Sequence, residues 1–241
     1  MLAVIMKKEE IESEILHNYP LFCKLLINLE KGLNEGLTWY LKNEPELFKQ
    51  RDFRPGTLGR FMSASLSVRF HFDRTVDYLK QENWDENFIQ NYTFELMKKY
   101  GYLGHFKDID QSIRFYLFHS FYHQLETTIR IIVDKLNLTK EKGKPLDKVN
   151  KVVECFPEEF IICLDALRNT IHNNGYYRPQ YKQPKKVYYK NAQSEIQFKE
   201  NERTAMSTKE TISLIWDLAE YTEGMLKHEK IRKIQITKDR N

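Results

Sequence analysis

The 241 residues are 41% hydrophobic and 30% charged, enough for one large domain or two small ones with a sizeable core, and nine glycines and seven prolines argue against turn-rich all-β structure and favour long helices. Cys23, Cys155 and Cys163 form no CxxC pair, so neither a disulfide framework nor a thiol redox motif is suggested, and buried thiols in a reducing compartment are the expectation. Net charge is only +4, but residues 176–190 (YYRPQYKQPKKVYYK) hold Arg178, Lys182, Lys185, Lys186 and Lys190 without an acid.

At the N-terminus, MLAVIMKKEE places its apolar residues before the lysines, the wrong order for a signal peptide. No apolar run approaches the ~18 residues of a membrane span, so a cytoplasmic protein with no membrane partner is expected. Residues 7–19 read as a charged amphipathic helix, with Pro20 starting a second whose stripe is Leu21, Leu25, Leu29, Leu33, Leu37 and Leu41. NEPELFKQRDFRPGT, with two prolines and a Pro-Gly pair, reads as a connector. A third helix is expected from about Leu58 to Gln81 and a fourth from Asp85 to Tyr100, with GYLGHFKD as a separator.

The strongest helical signal runs from Asp108 to Leu138, where Ile113, Leu117, Phe121, Leu125, Ile129 or Ile132, and Leu136 recur at steps of three and four. A helix from Pro157 or Glu158 to Asn174 gathers Phe160, Ile161, Leu164, Leu167 and Ile171 on one face, with Gly175 placed for a left-handed cap. The period then changes to two: Val187, Tyr189, Ile196 and Phe198 alternate around NAQS, predicting a β-hairpin. Ser207 with Glu210 opens a last helix through residue 230, a capping-box pattern with Leu214, Ile215, Leu218, Tyr221 and Met225 on its buried side. IRKIQITKDRN reads as a short strand or a frayed basic tail. The fold class is mainly α, with a small hairpin inserted between the last two long helices. Residues 1–106 form an N-terminal helical region and 107–241 a helical domain with the hairpin, either separate or one continuous bundle.

Two polar lines could carry chemistry. On the helix ending at 174, Asp165, Arg168 and His172 share a face, with Asn169 and Asn173 beside them. A histidine moves protons near neutral pH and a guanidinium grips phosphate oxygens, so the pair suits metal-free phosphodiester cleavage; the spacing equally fits a polar face whose His172 favours the negative helix end. On the preceding long helix, Tyr116, His119, His123, Glu126 and Arg130 form a second line. His119, His123 and Glu126 match a metal-ligand spacing, but Glu126–Arg130 more simply makes an i, i+4 pair, and Glu126 can orient an arginine or histidine of the facing helix. The candidate RNA-binding strip is Arg178, Tyr181, Lys182, Lys185 and Lys186, with Tyr176, Tyr177, Tyr188 and Tyr189 interleaved. Lysines neutralise phosphates and tyrosines stack on unpaired bases; the other reading is a basic hairpin whose tyrosines pack on the helices beneath. P-loop, GxGxxG, GxSxG and kinase signatures are missing.

FYLFHSFYHQLETTIRIIVDKL followed by a helix ending LRNTIHNNG resembles the HEPN superfamily of small helical proteins, over roughly residues 108–230. Arg168, Asn169 and His172 match its arginine, polar residue and histidine, although three residues separate Arg168 from His172 where the family usually has four to six. The resemblance implies a HEPN-like bundle and a metal-independent endoribonuclease acting as a homodimer, with Arg168 and His172 catalytic and Asn169, Asn173, Asp165, His123 and Glu126 supporting. It implies no cofactor and no metal. Its partners would be RNA and an antitoxin or regulatory protein, in a toxin or defence setting. The alternative it leaves is a non-catalytic module binding RNA, a nucleotide or a protein; a purely structural helical protein is the third class.

Overall fold

A single helix, α1 (Lys8–Asn43), covers the stretch expected to hold two, with Pro20 inside it. An interior proline removes one backbone hydrogen bond and costs about 3 kcal/mol. Packing on either side of it offsets that cost: the Tyr19 hydroxyl donates to Asp73, Phe22 lies 5.8 Å from Phe72, and Leu26, Leu29 and Leu33 are buried. The computed structural model describes residues 8–80, 116–173, 176–179, 183–192, 194–202, 204 and 206–235, with side chains described from Tyr19 and not for 75–80. The expected helix at 85–100, its separator and the Gly175 cap lie outside these residues.

The leucine stripe of α1 departs from expectation at both ends. Steps of exclusively four residues advance the face by about 40° each beyond a full turn. Leu29 and Leu33 are therefore buried while Leu21 and Leu41 are exposed, and Leu26 and Tyr40 complete the inward face. The Tyr40 hydroxyl donates to the Leu226 carbonyl at 2.8 Å.

The connector contains a short helix, α2 (Pro45–Lys49), and α3 (Phe53–Lys80) begins before its expected start at Leu58. Pro55-Gly56 is consequently not a turn. Pro55 occupies the first helical turn, where an N–H has no intrahelical acceptor to lose, and the Asp52 carboxylate caps the helix by accepting from the Arg54 N–H at 3.0 Å. The Arg54 side chain then folds back on the same carboxylate, Nε to Oδ1 at 2.6 Å and Nη2 to Oδ2 at 3.0 Å. Its Nη1 reaches the carbonyls of Ile231 and Arg232, both at 3.0 Å. This pair is fully buried.

Helix α4 occupies 116–135 of the described residues and buries Leu117, Phe121, Leu125, Ile129 and Ile132. It lies on α3, where Phe61 and Phe121 stack at 4.3 Å and the hydroxyls of Thr57 and Thr128 meet at 2.7 Å. A 3-10 turn (Leu138–Lys140) and a helix absent from the sequence reading, α5 (Pro145–Val153), lead to α6 (Glu158–His172). Strands β1 (Lys186–Lys190) and β2 (Glu195–Lys199) form the expected antiparallel hairpin, burying Val187, Tyr189, Ile196 and Phe198. Helix α7 (Thr208–Lys227) starts on Ser207, whose side chain accepts from Glu210 N–H while Glu210 accepts from the Ser207 N–H, so the capping box is formed. Ser207→Ala is expected to cost about 1 kcal/mol, read as a shift of the urea midpoint.

Of the stretch 231–241 expected as a short strand or a frayed basic tail, 236–241 lie outside the described residues, and 231–235 make no strand. After α7 the chain forms one more helical turn, α8 (Glu229–Arg232), with Ile231 and Ile234 buried. The protein is thus mainly helical with one two-stranded hairpin between its last two long helices. One hydrophobic core runs through residues of α1, α3, α4, α6, the hairpin and α7. No helix among the described residues is long and apolar enough to cross a membrane.

Candidate functional site

Helix α6 turns Phe160, Cys163, Leu164 and Leu167 into the core, which leaves Asp165, Arg168 and His172 on its outer side. Arg168 is half exposed and its Nη2 lies 3.6 Å from Glu126 Oε1 on α4. Its guanidinium also sits 6.0 Å from the centre of the Tyr122 ring. Tyr122 is one turn before Glu126; burial first, and the charge of the Glu126 carboxylate next, push its hydroxyl up to about 12. Its ring and the Glu126 carboxylate together steer the arginine. Neither Tyr122 nor its role was drawn from the sequence, although a step of four from Glu126 was the available signal.

Asp165 does not compete for Arg168, because Lys144 at the start of α5 pairs with it. Lys144 is the second residue that sequence reasoning missed. His172 closes α6 and is exposed. His123 is exposed on α4, its ring parallel to that of His119 with centroids 6.3 Å apart. Glu126, turned to Arg168 and Tyr122, does not join these histidines, and the described residues contain no His/Cys/Asp/Glu group arranged for a metal.

Asn169 performs a different task from the one its motif position suggests. Its Nδ2 donates to the Arg178 carbonyl at 2.6 Å and its Oδ1 accepts from the Arg178 N–H at 2.7 Å. Asn173 adds bonds from its own Nδ2 to the Asn169 carbonyl at 2.8 Å and to Oδ1 at 3.3 Å. The two asparagines thus strap the basic segment to the last turn of α6, beside Arg168 and His172. Asn169→Ala is expected to lose about 1–2 kcal/mol and to speed tryptic cleavage at Lys185 under native conditions.

The basic segment itself divides. Tyr177 and Tyr189 are core residues: Tyr177 donates to the Pro184 carbonyl at 2.7 Å, and Tyr189 to Asp217 at 2.6 Å. Burial, then the Asp217 carboxylate, raise the Tyr189 hydroxyl well above the usual tyrosine range. Tyr176 and Tyr188 are exposed, and Tyr181 and Lys182 lie outside the described residues. Lys185 pairs with Glu200 at 3.2 Å and Lys190 with Glu195 at 2.5 Å. The strip is less cationic in space than in sequence because β2 returns acids beside it. Arg178 and Lys186 remain exposed cations.

Comparison of the chain with protein-family models, with curated proteins and with solved structures finds no match. The functional reading rests on these side chains and on the exposed cations around them.

Proposed function

We propose that the protein is a metal-independent endoribonuclease of HEPN type, cutting single-stranded RNA. The observation that carries this reading is the joint placement on α6 of Arg168, steered by Glu126 and Tyr122, and an exposed His172, with Arg178 strapped alongside. The ribose 2′-oxygen attacks the adjacent phosphorus, forming the O2′–P bond as the P–O5′ bond breaks. Products are a 2′,3′-cyclic phosphate and a 5′-hydroxyl. His172 takes the 2′ proton or donates one to the leaving 5′-oxygen, and Arg168 balances the charge that builds on the phosphoryl oxygens. Attacking and leaving oxygens lie on opposite sides of phosphorus, so one imidazole does not serve both. A second copy contributing its own His172 completes the site, which is the reason to read the active species as a homodimer. The toxin or defence setting, the restraining antitoxin and the cytoplasmic location belong to the same proposal.

The test is cleavage of a single-stranded RNA in EDTA by the wild type and by His172→Ala. Cleavage by the wild type alone supports the assignment; no cleavage by either, or equal cleavage by both, overturns it. One observation favours a non-catalytic RNA-binding module instead: the Asn169 amide is committed to the Arg178 backbone and does not face a phosphate. That reading expects RNA binding that falls steeply with salt and no turnover.

A further inference from the structure

The hairpin presents its inner face, Val187, Tyr189, Ile196 and Phe198, to the core. Its position is fixed from two further sides. The Tyr189 hydroxyl donates to Asp217 of α7 at 2.6 Å, and Asn191, at the turn, reaches the same carboxylate at 2.5 Å. The outer face is therefore a rigid surface, made of Lys186, Tyr188 and Lys190 on β1 and Glu195, Gln197 and Lys199 on β2.

The charges on that face are unevenly satisfied. Lys190 pairs with its cross-strand partner Glu195 at 2.5 Å. At the other end Lys186 stands directly opposite Lys199. Cross-strand neighbours have Cβ atoms about 4.5–5.5 Å apart, and like charges there are destabilising. Lys199 has Glu202 at 3.4 Å, but no carboxylate among the described residues pairs with Lys186. An anion between the two ammonium groups relieves the repulsion. Next to them Tyr188 is 50% exposed, large for an aromatic ring, and the exposed amide of Gln197 lies opposite it in register.

We propose that this outer hairpin face is a binding platform for single-stranded RNA, with a phosphate held between Lys186 and Lys199 and an unpaired base stacked on Tyr188. The choice of single strand follows from the ring, since base faces are hidden in a duplex and available only when unpaired. Gln197 offers both a donor and an acceptor to a base edge. The platform rests on the RNA reading above and extends it to a surface of β1 and β2 that the basic strip alone did not define. It lies outside the catalytic pair, so it sets affinity and not chemistry.

The experiment measures binding of a fluorescein-labelled single-stranded RNA to His172→Ala protein, in which the RNA is not consumed, with Tyr188→Ala, Tyr188→Phe or the double change Lys186→Gln/Lys199→Gln added. Tyr188→Ala is expected to weaken binding roughly 5- to 150-fold, the range for loss of one stacked base, and Tyr188→Phe less than about two-fold because the ring remains. The double change removes one phosphate contact and is expected to lower the slope of log affinity against log salt by about 0.7. All three positions are exposed, so unchanged melting temperatures show that fold is not the cause. Affinities unchanged by Tyr188→Ala and by the lysine pair overturn the platform, as does failure of the parent protein to bind RNA at low salt. Cleavage by the His172-containing protein is scored separately: cleavage that survives with an unaffected Tyr188→Ala sinks the platform alone, while binding that depends on Tyr188 without any cleavage sinks the ribonuclease reading alone.

Discussion

Replacing Arg54 by alanine is expected to cost about 3–5 kcal/mol of stability, the range for removing one partner of a buried ion pair. Both side chains of the pair are inaccessible to solvent. Truncation leaves the Asp52 carboxylate without its fork of donors and removes the guanidinium donor from the carbonyls of Ile231 and Arg232, the first of which keeps the Ile234 N–H. Arg54→Lys is expected to recover little, because a single ammonium does not reproduce a planar fork that grips a carboxylate and two carbonyls together. The double change Asp52→Asn with Arg54→Met is expected to cost less than the sum of the singles, since each single leaves a group that the double removes. Urea unfolding followed by circular dichroism measures all of these. A loss below about 1 kcal/mol for Arg54→Ala would place the pair among surface contacts and contradict its burial.

On the proposed ribonuclease reading, His172→Ala carries the largest expected effect on activity. Loss of a positioned general acid or base lowers a rate by roughly 10²–10⁴, and loss of a transition-state donor such as Arg168 by roughly 10²–10³. Neither change is expected to move the melting temperature, because both side chains project from the outer side of α6 and Arg168 is 49% exposed. Arg168→Lys separates the roles. A lysine keeps the charge opposite Glu126 but not the bidentate geometry, so it is expected to hold RNA nearly as well as wild type while cutting far more slowly. Single-turnover rates in EDTA, measured beside binding, read the two quantities apart. A lysine variant with full activity would reduce Arg168 to a point charge for phosphate.

Much of the helical layout was legible where period and cap agreed. Ser207 and Glu210 named the start of α7, and the alternation of Val187, Tyr189, Ile196 and Phe198 named both strands and their inner face. Prolines misled in two directions for one reason. Their local penalty is readable, but the packing that outweighs it (Phe22 on Phe72) and the cap that makes it harmless (Asp52) come from tertiary context and from a residue three positions away. Helix α5 went unread because nine residues show too few turns, although Pro145 at its start and Lys151 in its last turn were the usual signals. At the site, the α6 polar face and the link from Glu126 to an arginine were anticipated from spacing. The tyrosine strip stood between two readings, of which Tyr177 and Tyr189 follow the packed one; the use of Asn169 as a strap was not anticipated, since composition does not say which backbone lies within reach of an amide.

The buried arginine also sets a schedule for biosynthesis. Arg54 takes two of its acceptors from carbonyls whose nearer residue is 177 positions further on, and Tyr40 takes its own from 186 positions on. At translation speeds of about 5–20 residues per second, the second partner of Arg54 emerges roughly 10–35 s after the first. During that interval Arg54 has Asp52 but not its two carbonyls, Tyr40 lacks its acceptor, and the early helices persist as an open half-core. A holdase that shields α1 and α3 on the ribosome would therefore raise the yield of this protein more than one acting after release.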